Sequence, residues 1–185
     1  MFSKFRLPKL NNAGVSLIEL VVVISIMTAL TGTAALGINL AFSRDANKCA
    51  TKLNDAIYTA RMESMSKVGA YYLEVKKEGN DFVAIINDGT SEVYNEKISE
   101  NGKISQITYA LNGPAVGIDG ATTAKIVFDK SKGNVKEFNG VGFTSDGASG
   151  TNVDGLIVFT IDQRTGNRSD TVTVVTSTGK HKIGN

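Results

Sequence analysis

Gly14-Val15-Ser16-Leu17-Ile18-Glu19-Leu20-Val21-Val22-Val23-Ile24 is the stretch whose reading decides the fold. It follows a short basic leader and opens a run with no charge besides Glu19 until Arg44. A carboxylate at the centre of a bilayer costs about 2.5–3.5 kcal/mol, less toward the interface, so an acidic residue at the mouth of an apolar run implies a task. Leu20 to Phe42 carries no charge, and at about 1.5 Å per residue a helix there reaches roughly 35 Å, enough to cross the hydrocarbon core. Residues 1–14 hold Lys4, Arg6 and Lys9 and no acid. That flank stays cytoplasmic, and everything after the apolar run is sent outward.

Two plainer readings compete. Thr31-Gly32-Thr33-Ala34-Ala35 has the small residues of an ordinary secretory cleavage site, and the run could also serve as an uncleaved anchor. Neither gives Glu19 anything to do. Within the run, Ser25, Ala29, Thr33, Gly37 and Ala41 recur every fourth residue, so one helix face is lined by small side chains. Such a face lets helices approach closely where lipid offers no hydrophobic drive. A segment rich in small residues could also produce it by composition alone. Gly32 and Gly37 each cost on the order of 1 kcal/mol of helix stability relative to Ala, which makes them the soft points of the run.

From Asn47 the pattern turns amphipathic. Ala46, Cys49, Leu53, Ala56 with Ile57, Ala60, and Ser64 with Met65 follow three-to-four spacing, while Lys48, Lys52, Asp55, Arg61, Glu63 and Lys67 point elsewhere. Gly69 is placed to cap the C-terminus. The expected helix therefore runs from about Val15 to Lys67, and Cys49 on its inner stripe is expected to act as a small buried apolar group. Beyond Gly69 the period shortens. Residues 71–75, 82–86, 92–94, 103–111, 125–128, 135–138, 141–144, 156–161 and 171–175 read as strands, separated by turns such as Glu78-Gly79-Asn80-Asp81 and Asn87-Asp88-Gly89. The fold class is α+β: a long N-terminal helix, half membrane-spanning and half amphipathic, packed on an antiparallel β-sheet head. The segments are 1–14 (leader), 15–42 (apolar half-helix), 43–69 (amphipathic half-helix) and 70–185 (head).

Composition narrows the chemistry. Cys49 and His181 each occur once, so an intramolecular disulfide, a Cys/His zinc site and a Ser-His-Asp triad without His181 are excluded. No acid–base pair stands out, and neither catalysis nor a cofactor is expected. The formal charge of +2 becomes −1 once the three basic residues of the leader are gone, so nucleic acid would need a local patch. The terminal Lys180-His181-Lys182 is one candidate: strand alternation puts Lys180 and Lys182 on one face. Two phosphate contacts give only weak, salt-sensitive binding, and lysines guarding an edge strand are an equally natural reading. Asp146, Asn152, Asp154 and Asp162 lie among glycines, but their spacing is not that of a calcium loop, and no metal is expected.

Gly14 followed by Val15-Ser16-Leu17-Ile18-Glu19-Leu20 resembles the class III motif of type IV prepilins. The resemblance implies cleavage after Gly14 by a prepilin peptidase, N-methylation of Val15, and Glu19 as fifth residue of the mature chain. Leu53-Asn54-Asp55-Ala56-Ile57-Tyr58-Thr59-Ala60-Arg61-Met62-Glu63-Ser64, Gly142-Phe143-Thr144-Ser145-Asp146-Gly147 and the closing Ser177-Thr178-Gly179-Lys180-His181-Lys182 resemble the GspH/FimT type of minor pilin and pseudopilin. That family's aromatic first mature residue is Val15 here. Its closing Gly-Arg-x-Arg is Gly179-Lys180-His181-Lys182, which keeps charge and loses the planar fork that suits phosphate. The implied function is that of a filament subunit, minor pilin or pseudopilin near the tip, of a type IV pilus or type II secretion-like system. The implied partners are other pilins through helix 1, the peptidase, an inner-membrane assembly platform, the lipid bilayer before assembly, and DNA at Lys180 and Lys182. The implied location is the bacterial cytoplasmic membrane, single-pass with the head outside, and then a periplasmic or extracellular filament. A shaft-forming major pilin, a tip adhesin or DNA receptor, and an envelope protein that never polymerises are the alternatives.

Overall fold

The computed structural model describes residues 16–143, 155–164 and 168–184, and within these the side chains of 32–43 are outside the description. The chain divides into two compact units, Met1–Asn39 and Leu40–Asn185. Helix α1, Leu17–Ser66, supplies residues to both. Its start is set by Ser16, whose carbonyl accepts from the Leu20 amide at 3.1 Å and whose own amide donates to Glu19 Oε2 at 3.4 Å. This is one half of a capping box, which meets an amide that the helix cannot. In the first unit the hydroxyls turn back on the helix: Ser25 Oγ donates to Val21 O at 2.7 Å, Thr28 Oγ1 to Ile24 O at 3.0 Å, and Thr31 Oγ1 to Met27 O. Among the described residues no helix is long and apolar enough to cross a membrane; the described side chains of the apolar run stop at Thr31.

In the second unit α1 turns one stripe inward. Ala46, Cys49, Ala50, Leu53, Ala56, Ile57 and Ala60 are buried, and Ser64 continues the line. Small residues alternate with Leu53 and Ile57 along this stripe, and all of them join the core shared with the sheets. Met65, which the spacing places on this stripe, is instead exposed, and Ala50 takes a place in it. Gly69 follows the helix with φ +155°, and a Cβ there would lie 2.9 Å from a ring carbon of Tyr71. Only glycine suits that stop.

Eleven described strands form two sheets rather than one. They are β1 (Tyr72–Glu78), β2 (Asp81–Asn87), β3 (Glu92–Lys97), β4 (Ile104–Leu111), β5 (Val116–Gly117), β6 (Ala124–Phe128), β7 (Val135–Phe138), β8 (Val141–Gly142), β9 (Leu156–Gln163), β10 (Ser169–Val175) and β11 (His181–Gly184). The first sheet has the order β3-β2-β1-β6-β7-β8 and the second β11-β10-β9-β4-β5. The pairings described are all antiparallel. In β9 the alternation is plain: Ile157, Phe159, Ile161 and Gln163 face inward. Strand β2 is buried on both faces, Phe82 through Ile86, as its unbroken apolar run requires. Phe138 of β7 meets Tyr109 of β4 and Phe159 of β9 edge-on, with ring centres 5.2 and 6.4 Å apart, and so ties the two sheets together.

Every fully buried apolar side chain of the described residues lies between Ala46 and Val174. The head thus carries its own core. Each large member contributes about 1.5–3 kcal/mol by leaving water.

Candidate functional site

Gly14 and Val15, the expected cleavage pair, lie outside the described residues. Glu19 stands in the first turn of α1, where a carboxylate is favoured by the helix dipole. The long hydrogen bond from the Ser16 amide occupies one of its oxygens, and among the described residues no other donor is shown on the carboxylate. Around it, Leu17 and Ile18 are 81% and 71% exposed, and Leu20, Val21, Val22, Val23, Ile24, Ile26, Met27 and Leu30 remain about half exposed. Of the predicted small-residue face, Ser25 lies in this stretch with its hydroxyl tied to the backbone, and Ala29 lies one turn on. Thr33, Gly37 and Ala41 continue the helix, with side chains outside the description.

The second candidate, Lys180 and Lys182, follows the turn after β10. Gly179 has φ +64°, its amide donates to Val175 O at 2.8 Å, and the Val175 amide donates to Lys180 O at 2.8 Å. Lys180 sits just before β11 and Lys182 within it, both exposed, while His181 is half-buried edge-on to Tyr58 at 6.2 Å. Arg61 of α1 does more than point away from the core. Its Nε donates to Gly133 O at 2.8 Å and its Nη2 to Thr178 O at 3.2 Å. A Cβ on Gly179 would collide with that same Gly133 carbonyl. Arg61 therefore pins the Asp129–Gly133 turn, which carries Lys130 and Lys132, to the turn that leads into Lys180. Reading the sequence missed these two lysines, because they lie far from the terminus along the chain. Asp129-Lys130-Ser131-Lys132-Gly133 is nonetheless a visible basic turn. The Asp129 carboxyl is held below the usual range by the Ser131 hydroxyl and amide and the Lys132 amide.

Cys49 is buried, and burial pushes its thiol up to about 12, which leaves no thiolate for chemistry near neutral pH. Asp146, Asn152 and Asp154 lie outside the described residues, while Asp162 is half-buried in β9. Among the described residues no group of three or more His, Cys, Asp or Glu side chains is arranged to hold a metal ion.

No protein-family model matches the chain. No curated protein matches it either. Among solved structures it is similar to the crystal structure of the type IV minor pilin FimU of Pseudomonas aeruginosa, with 14% identity, a TM-score of 0.45, and 77% of this chain and 90% of that chain covered. No functional claim is built on that likeness.

Proposed function

We propose that the chain is a structural subunit of a type IV pilus or type II secretion-like filament, a minor pilin or pseudopilin near the tip, whose work is assembly rather than catalysis. One observation carries the reading. Between Leu17 and Thr31, α1 holds its large apolar side chains exposed, turns its hydroxyls back on itself, and carries a single charge, Glu19. Such a surface calls for lipid first and for other apolar helices afterwards.

In this reading a prepilin peptidase removes residues 1–14, Val15 is N-methylated, and residues 15–42 hold the precursor in the bacterial cytoplasmic membrane with the head outside. The assembly platform then moves the subunit into the filament. The Val15 amine of one subunit answers Glu19 of its neighbour, and a mis-registered subunit is rejected because it would leave a carboxylate unpaired among apolar helices. Ser25, Ala29, Thr33, Gly37 and Ala41 are the face along which helices approach. The test is the N-terminus of the protein recovered from sheared filaments. A methylated Val15 is the expected result. Retention of residues 1–14 while other precursors in the same cells are trimmed, or a start near Ala34, overturns it.

A second reading, a DNA-contacting head, is favoured by the Arg61 clasp, which ties the turn holding Lys130 and Lys132 to the turn before Lys180 and Lys182. Phosphate contacts from both turns would give tighter binding with a steeper salt dependence than two lysines alone. Binding of duplex DNA by residues 43–185 at low salt, lost in a Lys180→Ala/Lys182→Ala variant, is its expected signature. No binding at low salt removes it.

A further inference from the structure

We infer that the cleft at the C-terminal end of α1 is a binding site for a small carboxylic acid carried on an apolar group of about one aromatic ring. The cleft measures about 400 Å³ and lies entirely within the second unit, Leu40–Asn185. Ligand pockets run from about 300 to 1,000 Å³, so this one suits a small molecule rather than a large cofactor.

Its walls are built for an apolar body. Tyr71, Val127 and Phe128 line it, the first and last buried in the core and Val127 half-buried. The β6–β7 register shifts between Val127 and Phe128, and both residues border the cleft at that irregularity. Gly69 keeps one side clear, since a Cβ there would press on the Tyr71 ring. Deep in the cleft the Ser64 hydroxyl, itself buried, donates to Tyr71 O at 3.4 Å.

Its charge is built for an anion. Lys130 and Lys136 both line the cleft, and neither forms an ion pair among the described residues. Asp129 is the acid nearest to hand, and one of its oxygens already accepts from the Ser131 amide at 2.9 Å, the Ser131 hydroxyl at 2.6 Å and the Lys132 amide at 3.1 Å. Two lysines thus stand against one carboxylate, which stays charged and is itself drawn to Lys136, so the cleft keeps a net positive balance. A smaller cleft of about 330 Å³, near the start of β4, makes the contrast. There Lys52 is already bridged to Glu96 and Glu100, and Lys103 to Asp45, so among the described residues Lys48 is the one lining lysine outside an ion pair.

The inference does not depend on filament assembly. The test is a titration of ¹⁵N-labelled residues 43–185, which contain the whole described core, with 3-phenylpropionate and with its neutral amide, 3-phenylpropanamide. The expected result is saturable shifts of the Gly69, Ala70, Tyr71 and Lys130 amides with the acid, and at least roughly fivefold weaker binding of the amide. Lys130→Gln/Lys136→Gln is expected to weaken the acid by a similar factor with the rest of the spectrum unchanged, and Lys130→Arg/Lys136→Arg to restore it. Absence of shifts at these residues, equal binding of acid and amide, or undiminished binding by the Gln pair overturns the proposal.

Discussion

Between Leu17 and Leu30, α1 leaves its Leu, Ile, Val and Met side chains 48–81% exposed, whereas between Ala46 and Ala60 the same helix buries Ala, Cys, Leu and Ile to within 1%. The two stretches differ less in how apolar they are than in where their partner comes from. In the second, the chain supplies it: two sheets folded from later residues. In the first, the described side chains stay exposed, and a contiguous apolar surface of that kind is the mark of an association face. The lesson is that one regular element can serve stability over one stretch and association over another, and burial tells the two apart where helical propensity cannot.

Substitutions can break that contrast. Leu53→Ala, at a fully buried position, is expected to lower head stability by about 2–5 kcal/mol in urea melts, whereas Leu20→Ala should leave it within about 0.5 kcal/mol. Equal effects from both would mean that the first stretch is part of the folded core. Glu19→Val is expected to leave the head's melting temperature unchanged and to cut recovery in sheared filaments by at least about tenfold, read by quantitative blotting. Normal recovery would strip Glu19 of its assembly role. Arg61→Ala should cost the head about 1 kcal/mol and speed amide exchange at Gly179, because two backbone carbonyls lose their donor. If exchange there stays slow, the clasp is ornamental.

The smallest effect belongs to the β2–β3 turn. The Thr90 hydroxyl and the Ser91 and Thr90 amides hold the Asp88 carboxyl down to about 2, from an ordinary 3.8. A carboxyl depressed in the folded state stabilises above its unfolded value, and that contribution fades as pH falls from about 4 toward 2. Asp88→Asn should therefore flatten the acid limb of the melting-temperature profile slightly. An unchanged limb would show that the turn contributes nothing there.

Much of the head was legible in the sequence because its signals are local. Val135–Phe138 matches its predicted bounds, the Gly79-Asn80 turn falls between β1 and β2, and α1 ends at Ser66, just ahead of the predicted capping glycine. What escaped was set by distant contacts. Met65 fits the inner stripe by spacing, yet it is exposed, with its sulfur beside the Gly133 turn. The two-residue β5 exists only through pairing with Thr108 and Tyr109, and no pattern that short announces itself. The division into two sheets depends on which strands meet edge to edge, and alternation along one strand is silent on that. At the candidate site, Glu19 and the terminal lysines were legible as chemical oddities, a charge in grease and a basic run. The Arg61 clasp was not, because its acceptors are backbone carbonyls with no side-chain signature.

The near-contact of Gly179 with the Gly133 carbonyl has a consequence for how this protein can vary. A saturation library across the last hairpin should return a nearly empty column at position 179, since even alanine has nowhere to put its methyl group. Lys180 and Lys182, with their side chains in open water, should accept almost anything. A descendant wishing to change what this end of the head touches has those two columns to write in, hung from a hinge pin it is not allowed to replace.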